Sequence, residues 1–290
     1  MNIEKSVVVL GKFDGVHIAH ARLITTAVQI ATQRGEKSLV YSMQKSNAPA
    51  MTDKTQKINI IKSLGADHVI FRELDAGFMN LSPEDFVNTV VRQELGATCV
   101  VVGENFRFGK DRSAGAEELK AICSKWGIDV VIIDTVHLED ETVSSTYVRK
   151  LLLEGNVSLA KEYLGRSFSI YGTVCEGKHL GRTLGFPTVN IYPGSGAVVP
   201  ARGVYATGVV CDGTKYPAIT NVGVNPTVED GKNIKVETHI FAKTDKWYGK
   251  EIQVEFYEFI RPEVQFSNME ELKNQVEEDK EKAKEYHNIK

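Results

Sequence analysis

Between residues 6 and 134, short apolar runs rich in β-branched residues take turns with helical patterns. "SVVVL", "KSLVYS", "HVIF", "CVVVG" and "DVVIID" are separated by "HARLITTAVQIATQRG", "TDKTQKINIIKSLG", "SPEDFVNTVVRQELG" and "GAEELKAICSKWG". The runs are continuously apolar, as strands covered on both faces are. The stretches between them carry apolar residues three and four apart and mostly close on glycine, as amphipathic helices do. A parallel α/β sheet with helices on its faces satisfies both patterns. Ser82 opens "SPED" with Pro83 at the first helical position, a capping-box spacing that sets one helix start.

"SSTYVRKLLLEG" and "SLAKEYLG" read as two more short helices, closed by Gly155 and Gly165. After Gly165 the pattern changes to strands and turns: "SFSIYGTVCEG", "GVYATGVVCDGTKYPAITNVG", "IKVETHIFA" and "EIQVEFYEFI". Asp212-Gly213, between two β-rich runs, is a hairpin signal. Several antiparallel strands at short spacing suggest a small barrel. From Asn268 the tail reads as a charged helix with Leu272 and Val276 turned inward and its acids and bases forming a solvated face. At 290 residues the chain is too long for one ordinary core. The expected division is 1–160 and 166–290, an α/β domain followed by an antiparallel β-barrel with a C-terminal helix.

Lys+Arg 35 against Asp+Glu 38 leave a net charge of -3, which gives no general attraction for nucleic acid or an anionic membrane. Phosphate recognition must therefore be local. Cys99, Cys123, Cys175 and Cys211 form no CxxC pair, and three lie in apolar or β-branched runs, which fits free thiols in a reducing cytoplasm. The first apolar run is too short for a signal-peptide core or a membrane span. Nothing in the sequence names a protein partner.

The loop after the first strand is "GKFDGVHIAH", Gly11 to His20. In an open parallel sheet, ligands bind beyond the carboxyl ends of the strands, where this loop falls. Gly11 and Gly15 permit a tight turn and close backbone approach. His17 and His20 share one side of the first helical turn, where the helix N-terminus already favours phosphate. The loop is neither GxxxxGK[ST] nor GxGxxG. Two histidines three apart also fit a metal pair or two surface residues, although no third metal ligand stands nearby.

"VVGENFRFGKDRSAG" and "VSSTYVRKLL" follow in order. Together with the first loop they resemble GxFDGVHxGH, GxDFxFGxxRxG and SSTxxR of the bacterial bifunctional riboflavin kinase/FAD synthetase family. The resemblance implies a Rossmann-like nucleotidylyltransferase domain in which His17 and His20 contact ATP phosphates. It implies that Ser145, Thr146 and Arg149 hold the triphosphate, and that Gly11, Phe13, Asp14, Gly15, Asn105, Phe106, Phe108 and Arg112 lie by the flavin or nucleotide. The chemistry implied is attack of an FMN phosphate oxygen on the α-phosphate of ATP, with pyrophosphate leaving. The chain departs from the family at Lys12 (usually Asn), Ala19 (Gly) and Asn105 (Asp), and has "VYSMQKSNAP" where TFEPHP is usual.

In the second half, "CEGKHLGRTLGFPTVNI" is a glycine-rich turn leading into a strand. Gly177, Gly181 and Gly185 let backbone amides face a phosphate, with Lys178 and Arg182 adding positive charge. Thr188 and Asn190, two apart on an extended strand, point hard oxygens to one face, where they suit magnesium. With "NVGVNPT" and "VETHIFAKTDKWYGKEI" the pattern resembles the riboflavin kinase domain over about 166–290. The resemblance implies that Thr188 and Asn190 coordinate Mg2+ and ATP phosphates, and that Glu237 is the base taking the ribityl 5'-hydroxyl proton. "FAK", Phe241 to Lys243, replaces the usual LDF. Phe186, Tyr205, Trp247, Tyr248 and Phe266 read first as core.

The departures gather in the first module. The expected function is therefore ATP-dependent phosphorylation of riboflavin to FMN, by a chain whose first module has weakened or lost adenylyl transfer. The alternatives are a fully bifunctional enzyme making FMN and FAD, and a flavin- or nucleotide-binding protein without turnover.

Overall fold

The computed structural model describes residues 5–45, 48–175, 186–224, 234–242 and 247–289. They form two compact units, Met1–Ser145 and Thr146–Lys290.

In the first unit, β1 (Ser6–Gly11), β2 (Lys37–Gln44), β3 (His68–Glu73), β4 (Ala97–Gly103) and β5 (Asp129–Ile133) make one parallel sheet in the order β3-β2-β1-β4-β5. Alternation along β1 sends Val8 and Leu10 to one face and Val7 and Val9 to the other. Helix α1 (Ile18–Arg34) covers the second face with Ile24, Ala27 and Ala31, joined by Ile61 of α2 (Lys54–Ser63). After a short α3 (Ala76–Met79), α4 (Pro83–Asp85) starts at the Ser82 cap, whose Oγ accepts from Asp85 N. The helix expected from there widens to a π-helix over Phe86–Glu94. That winding buries Phe86, Val87, Val90 and Val91 on the first face, beside Leu119, Ile122 and Cys123 of α5 (Ala116–Ser124). A small ribbon, β6 (His137–Leu138) with β7 (Glu141–Thr142), precedes Ser145. The chain runs outward from β1 to β3, then returns to β4 on the other side of β1. The sheet's switch point lies between β1 and β4, so their carboxyl ends flank a crevice.

The second unit holds α6 (Ser145–Leu153, from Thr146 on) and α7 (Val157–Leu164). Both precede the change of sequence pattern at Gly165, but Tyr147 packs on Tyr163, and Leu152 O accepts from Ala201 N. Side-chain packing therefore groups these helices with the strands that follow, which strand and helix periodicity does not register.

Strands β8 (Phe168–Thr173), β9 (Thr188–Ile191), β10 (Gly203–Cys211), β11 (Thr214–Val224), β12 (Ile234–Ile240) and β13 (Glu251–Pro262) form an antiparallel sheet in the order β8-β13-β10-β11-β12-β9. Cys175, just past β8, bridges Asn190 on β9, so the sheet curls into a half-barrel whose edges approach there. The β10–β11 hairpin turns at Asp212 and Gly213, with φ 50° and 77°, the positive values a two-residue hairpin loop needs. Tyr205, Val222, Val236 and Phe256 fill the concave interior. Through it run the hydroxyls of Thr207, Thr220 and Thr238, joined at 2.8 and 2.9 Å.

The other face of the sheet is covered by α8 (Met269–His287), whose Ala283 packs on Val204, Ala206 and Ile219. Leu272 and Val276 turn toward the sheet as expected, but the acids of this helix are not all solvated. Asp279 is 2% exposed and accepts from Arg261 Nε at 2.9 Å and Nη2 at 2.7 Å. It continues the stripe of Leu272 and Val276, and the guanidinium on β13 makes a carboxylate tolerable there.

Candidate functional site

The crevice at the switch point opens a cavity of about 340 Å³ in the first unit. Gly11, Phe13, His17, His20, Asn105, Phe106 and Ser145 line it, with Lys12 and Ala19. Segments distant in sequence meet there because β1 and β4 are adjacent.

The loop from β1 to α1 is tightly shaped. Phe13, Gly15 and Val16 have φ of 50°, 75° and 41°, and for the branched Val16 this is strained backbone held by its surroundings. Ser42 Oγ and Lys57 Nζ donate to the Lys12 carbonyl at 3.0 and 3.2 Å. Met51 N donates to Asp14 Oδ1 and Ser145 Oγ to the Asp14 carbonyl, both at 2.9 Å. Asp14 thus acts here as a loop clamp. The bareness of Gly11 serves a neighbour: an added Cβ would stand 2.9 Å from Phe13 Cζ. The Phe13 ring takes the space expected for close approach of a ligand.

His17 caps α1, its Nδ1 accepting from His20 N at 3.3 Å, and the two rings stack with centroids 3.6 Å apart. An Nδ1 that accepts leaves Nε2 as the proton-bearing nitrogen of a neutral ring. Around them the helix N-terminus presents backbone N–H groups and positive potential, which suit an anion. Across the crevice, Asn105 Nδ2 donates to Thr135 Oγ1 at 2.9 Å. Thr135 also bonds Glu104, which holds that carboxyl below the usual range. Phe106 lines the cavity, while Phe108 behind it is packed in the core against Phe86. Arg112 is exposed on the turn Lys110–Arg112 and is not among the described lining residues. Thr146, exposed, and Arg149, half-buried, lie on α6 in the second unit.

Lys57 is a loop contact that its sequence setting does not announce. It lies in a helical pattern like any solvated lysine, yet it is 3% exposed and donates to Gln44 Oε1 as well as to the loop. Burial lowers its pKa, and the charge of Asp14 opposes that shift. Only the fold, which lays α2 against the end of β2, exposes this role.

In the second unit, antiparallel pairing sets Asn190 opposite Glu237 and Thr188 opposite His239. Alternation puts all four on the face under α8. Thr188 Oγ1 donates to Glu237 Oε1 at 2.7 Å, and Lys235 Nζ to Oε2 at 2.8 Å. Having given its hydrogen to the carboxylate, the Thr188 hydroxyl keeps lone pairs for a cation. Asn190 Oδ1 is buried and has no hydrogen-bond partner among the described residues. A buried amide oxygen with no partner among those residues, near a hydroxyl oxygen with spare lone pairs, suits a divalent ion such as one carried by ATP. Gly177, Lys178, Gly181 and Arg182 lie outside the described residues, as do Gly185 and Lys243.

Thr188, Glu237 and His239 open onto a second cavity of about 340 Å³, walled by Phe186, Phe266, Leu272 and Val276. His239 Nδ1 lies 2.9 Å from the Pro187 carbonyl, and because a carbonyl only accepts, this nitrogen carries the hydrogen. Burial lowers the His239 pKa, with Lys280 adding to the effect. Of the aromatics, Phe186 and Phe266 belong to the cavity. Tyr205 and Trp247 are core, and Tyr248 is 41% exposed.

A family model described as FAD synthetase matches residues 1–147, and one described as riboflavin kinase matches residues 164–287. A bifunctional riboflavin kinase/FMN adenylyltransferase of Buchnera aphidicola subsp. Acyrthosiphon pisum is 34% identical over 295 residues, covering 98% of this chain and 94% of the relative. A protein of the same name from Bacillus subtilis is 32% identical over 300 residues, covering 97% and 92%. A crystal structure titled as a macrolide-efflux protein from Streptococcus pneumoniae matches with TM-score 0.88 and 29% identity, over 96% of this chain and 93% of that one. No helix among the described residues is long and apolar enough to cross a membrane.

Proposed function

The chain belongs to the riboflavin kinase/FAD synthetase family, and from that premise we propose that it converts riboflavin to FMN in its second module, 166–290, and FMN to FAD in its first, 1–160. ATP is the co-substrate of both steps. The observation that carries the reading is the contact of Thr188 with Glu237 beside the buried Asn190 oxygen, which has no hydrogen-bond partner among the described residues.

In the kinase step the ribityl 5'-hydroxyl oxygen forms a bond to the γ-phosphorus of ATP while the bond to ADP breaks. Glu237 accepts the hydroxyl proton, and its place at the cavity wall supports that role. Thr188 and Asn190 would hold Mg2+ with the ATP phosphates, and the ion supplies neutralisation of phosphate charge. Gly177, Lys178, Gly181 and Arg182 are proposed as further phosphate contacts. The apolar walls at Phe186 and Phe266 suit an isoalloxazine ring.

In the adenylyl step an FMN phosphate oxygen bonds to the α-phosphorus of ATP and pyrophosphate leaves. No protein nucleophile takes part, so positioning and positive potential supply the catalysis. The α1 N-terminus with His17 and His20, and Ser145, Thr146 and Arg149, are proposed for the phosphates. Gly11, Phe13, Asp14, Gly15, Asn105, Phe106, Phe108 and Arg112 are proposed to shape the flavin and nucleotide side, several of them from behind the wall. Two relatives at about a third identity are named for both activities, which favours the bifunctional reading over a kinase with a lapsed first module. The proposed compartment is the cytoplasm.

Purified protein is incubated with riboflavin, ATP and magnesium, then separately with FMN and ATP, and the flavins are identified. FMN from the first reaction and FAD from the second are expected. FMN without FAD would return the chain to a kinase alone, and neither product would leave a flavin- or nucleotide-binding protein.

A further inference from the structure

Along β12, Lys235, Glu237 and His239 share one face while Val236, Thr238 and Ile240 are buried on the other. Lys235 is therefore within reach of Glu237 two residues on, and its ammonium holds Oε2 at 2.8 Å. Thr188, from the neighbouring strand, holds Oε1. The terminal torsion of a glutamate is broad and roughly two-fold, so one hydrogen bond would leave the carboxylate plane free to turn. Two donors on different oxygens remove that freedom.

The charges nearby have the same origin in the sheet. Opposite Lys235 on β11 stands Gly223, which has no side chain. The carboxylate of Glu263, arriving past the end of β13, lies over it, with Oε1 2.5 Å from the point a Cβ would occupy. Lys235 thus has one carboxylate on its own strand and another over the glycine it faces. A triphosphate brought to this face adds like charge, and an ammonium already in place offsets the repulsion. The Lys235 and Glu237 side chains are 20% and 29% exposed, so water screens the pair only in part.

We propose that Lys235 is a positioning residue for phosphoryl transfer: it fixes the carboxylate plane of Glu237 for proton acceptance and supplies positive charge that keeps Glu237 compatible with bound ATP. The proposal rests on the reading of Glu237 as the base.

Wild type, Lys235→Met, Lys235→Arg and Glu237→Gln are compared for FMN formation from riboflavin, ATP and magnesium, with thermal melting alongside. Lys235→Met is expected to lower kcat about tenfold while the KM for riboflavin stays within about twofold, and Lys235→Arg to recover most of the lost kcat. A merely structural lysine would shift melting without this split. An unchanged kcat in Lys235→Met overturns the proposal. So does a Lys235→Arg variant as slow as Lys235→Met, because the charge would then be irrelevant. Should wild type form no FMN, or Glu237→Gln turn over like wild type, the reading of the site itself falls and the role of Lys235 with it.

Discussion

Thr188 gives its hydroxyl hydrogen to Glu237, 49 residues on in the chain, across 2.7 Å, joining two neighbouring strands. The bond aims the carboxylate and leaves the hydroxyl lone pairs for a cation. Thr188→Val keeps the shape of the side chain and removes both functions. FMN formation should fall by about ten- to a hundredfold, with a weaker response to added magnesium, while FAD formation from FMN stays at the wild-type rate. A magnesium titration of both reactions checks this.

The Arg261 and Asp279 pair ties α8 to β13 beside the kinase cavity. Asp279→Ala leaves a half-buried guanidinium without its partner and should cost about 3–5 kcal/mol. Arg261→Met with Asp279→Leu, which removes both charges, should cost far less. Urea unfolding of the two variants distinguishes a charge left alone from a packing loss.

The adenylyl loop offers a test specific to the first module. Ser145→Ala removes the hydroxyl that donates to the Asp14 carbonyl. FAD formation should drop about tenfold, because small displacements of positioning groups are costly in transfer reactions. FMN formation should be unchanged, and parallel assays of the two products read the difference.

Asp67 gives a pH dependence with a definite sign. The Ser38 backbone N–H, the Ser38 hydroxyl and Lys37 hold its carboxyl well down, at about 2. The unfolded value is about 3.9, so the folded state prefers the ionised form. The stabilisation is fully present above the unfolded value and is lost as pH falls through the folded one. The stability difference between wild type and Asp67→Asn should be flat above about pH 5 and shrink between about pH 4 and pH 2. Because the side chain is 36% exposed, the effect is moderated by solvent. Denaturant midpoints measured across that range provide the check.

Much of the architecture is visible in local pattern. The apolar runs of β1 and β4 and the helical spacings between them announce a parallel sheet, and Asp212-Gly213 announces its hairpin. The candidate residues His17, His20, Thr188, Asn190 and Glu237 carry their chemistry in their types and spacing. Lys57, Asp279 and Lys235 do not, for each reads as a solvated charge in a helix or strand. Lys57 and Asp279 find their partners 45 and 18 residues away, at Lys12 and Arg261, which no local spacing singles out, while Lys235 stands two residues from Glu237 on the same strand face, a spacing that permits the pair without selecting it.

The sequence alone determined the two classes of element, the strand faces and the residue types available for phosphate, metal and proton transfer, because periodicity and side-chain chemistry are local properties. The tertiary structure decided that Lys57 is buried against the Lys12 carbonyl, that Asp279 is buried against Arg261, and that Thr188 reaches an oxygen of Glu237 from the neighbouring strand. Those outcomes depend on strand register and on which helix covers which face. Both are settled by the packing of segments far apart in the chain, where burial sets the worth of each charge and hydrogen bond.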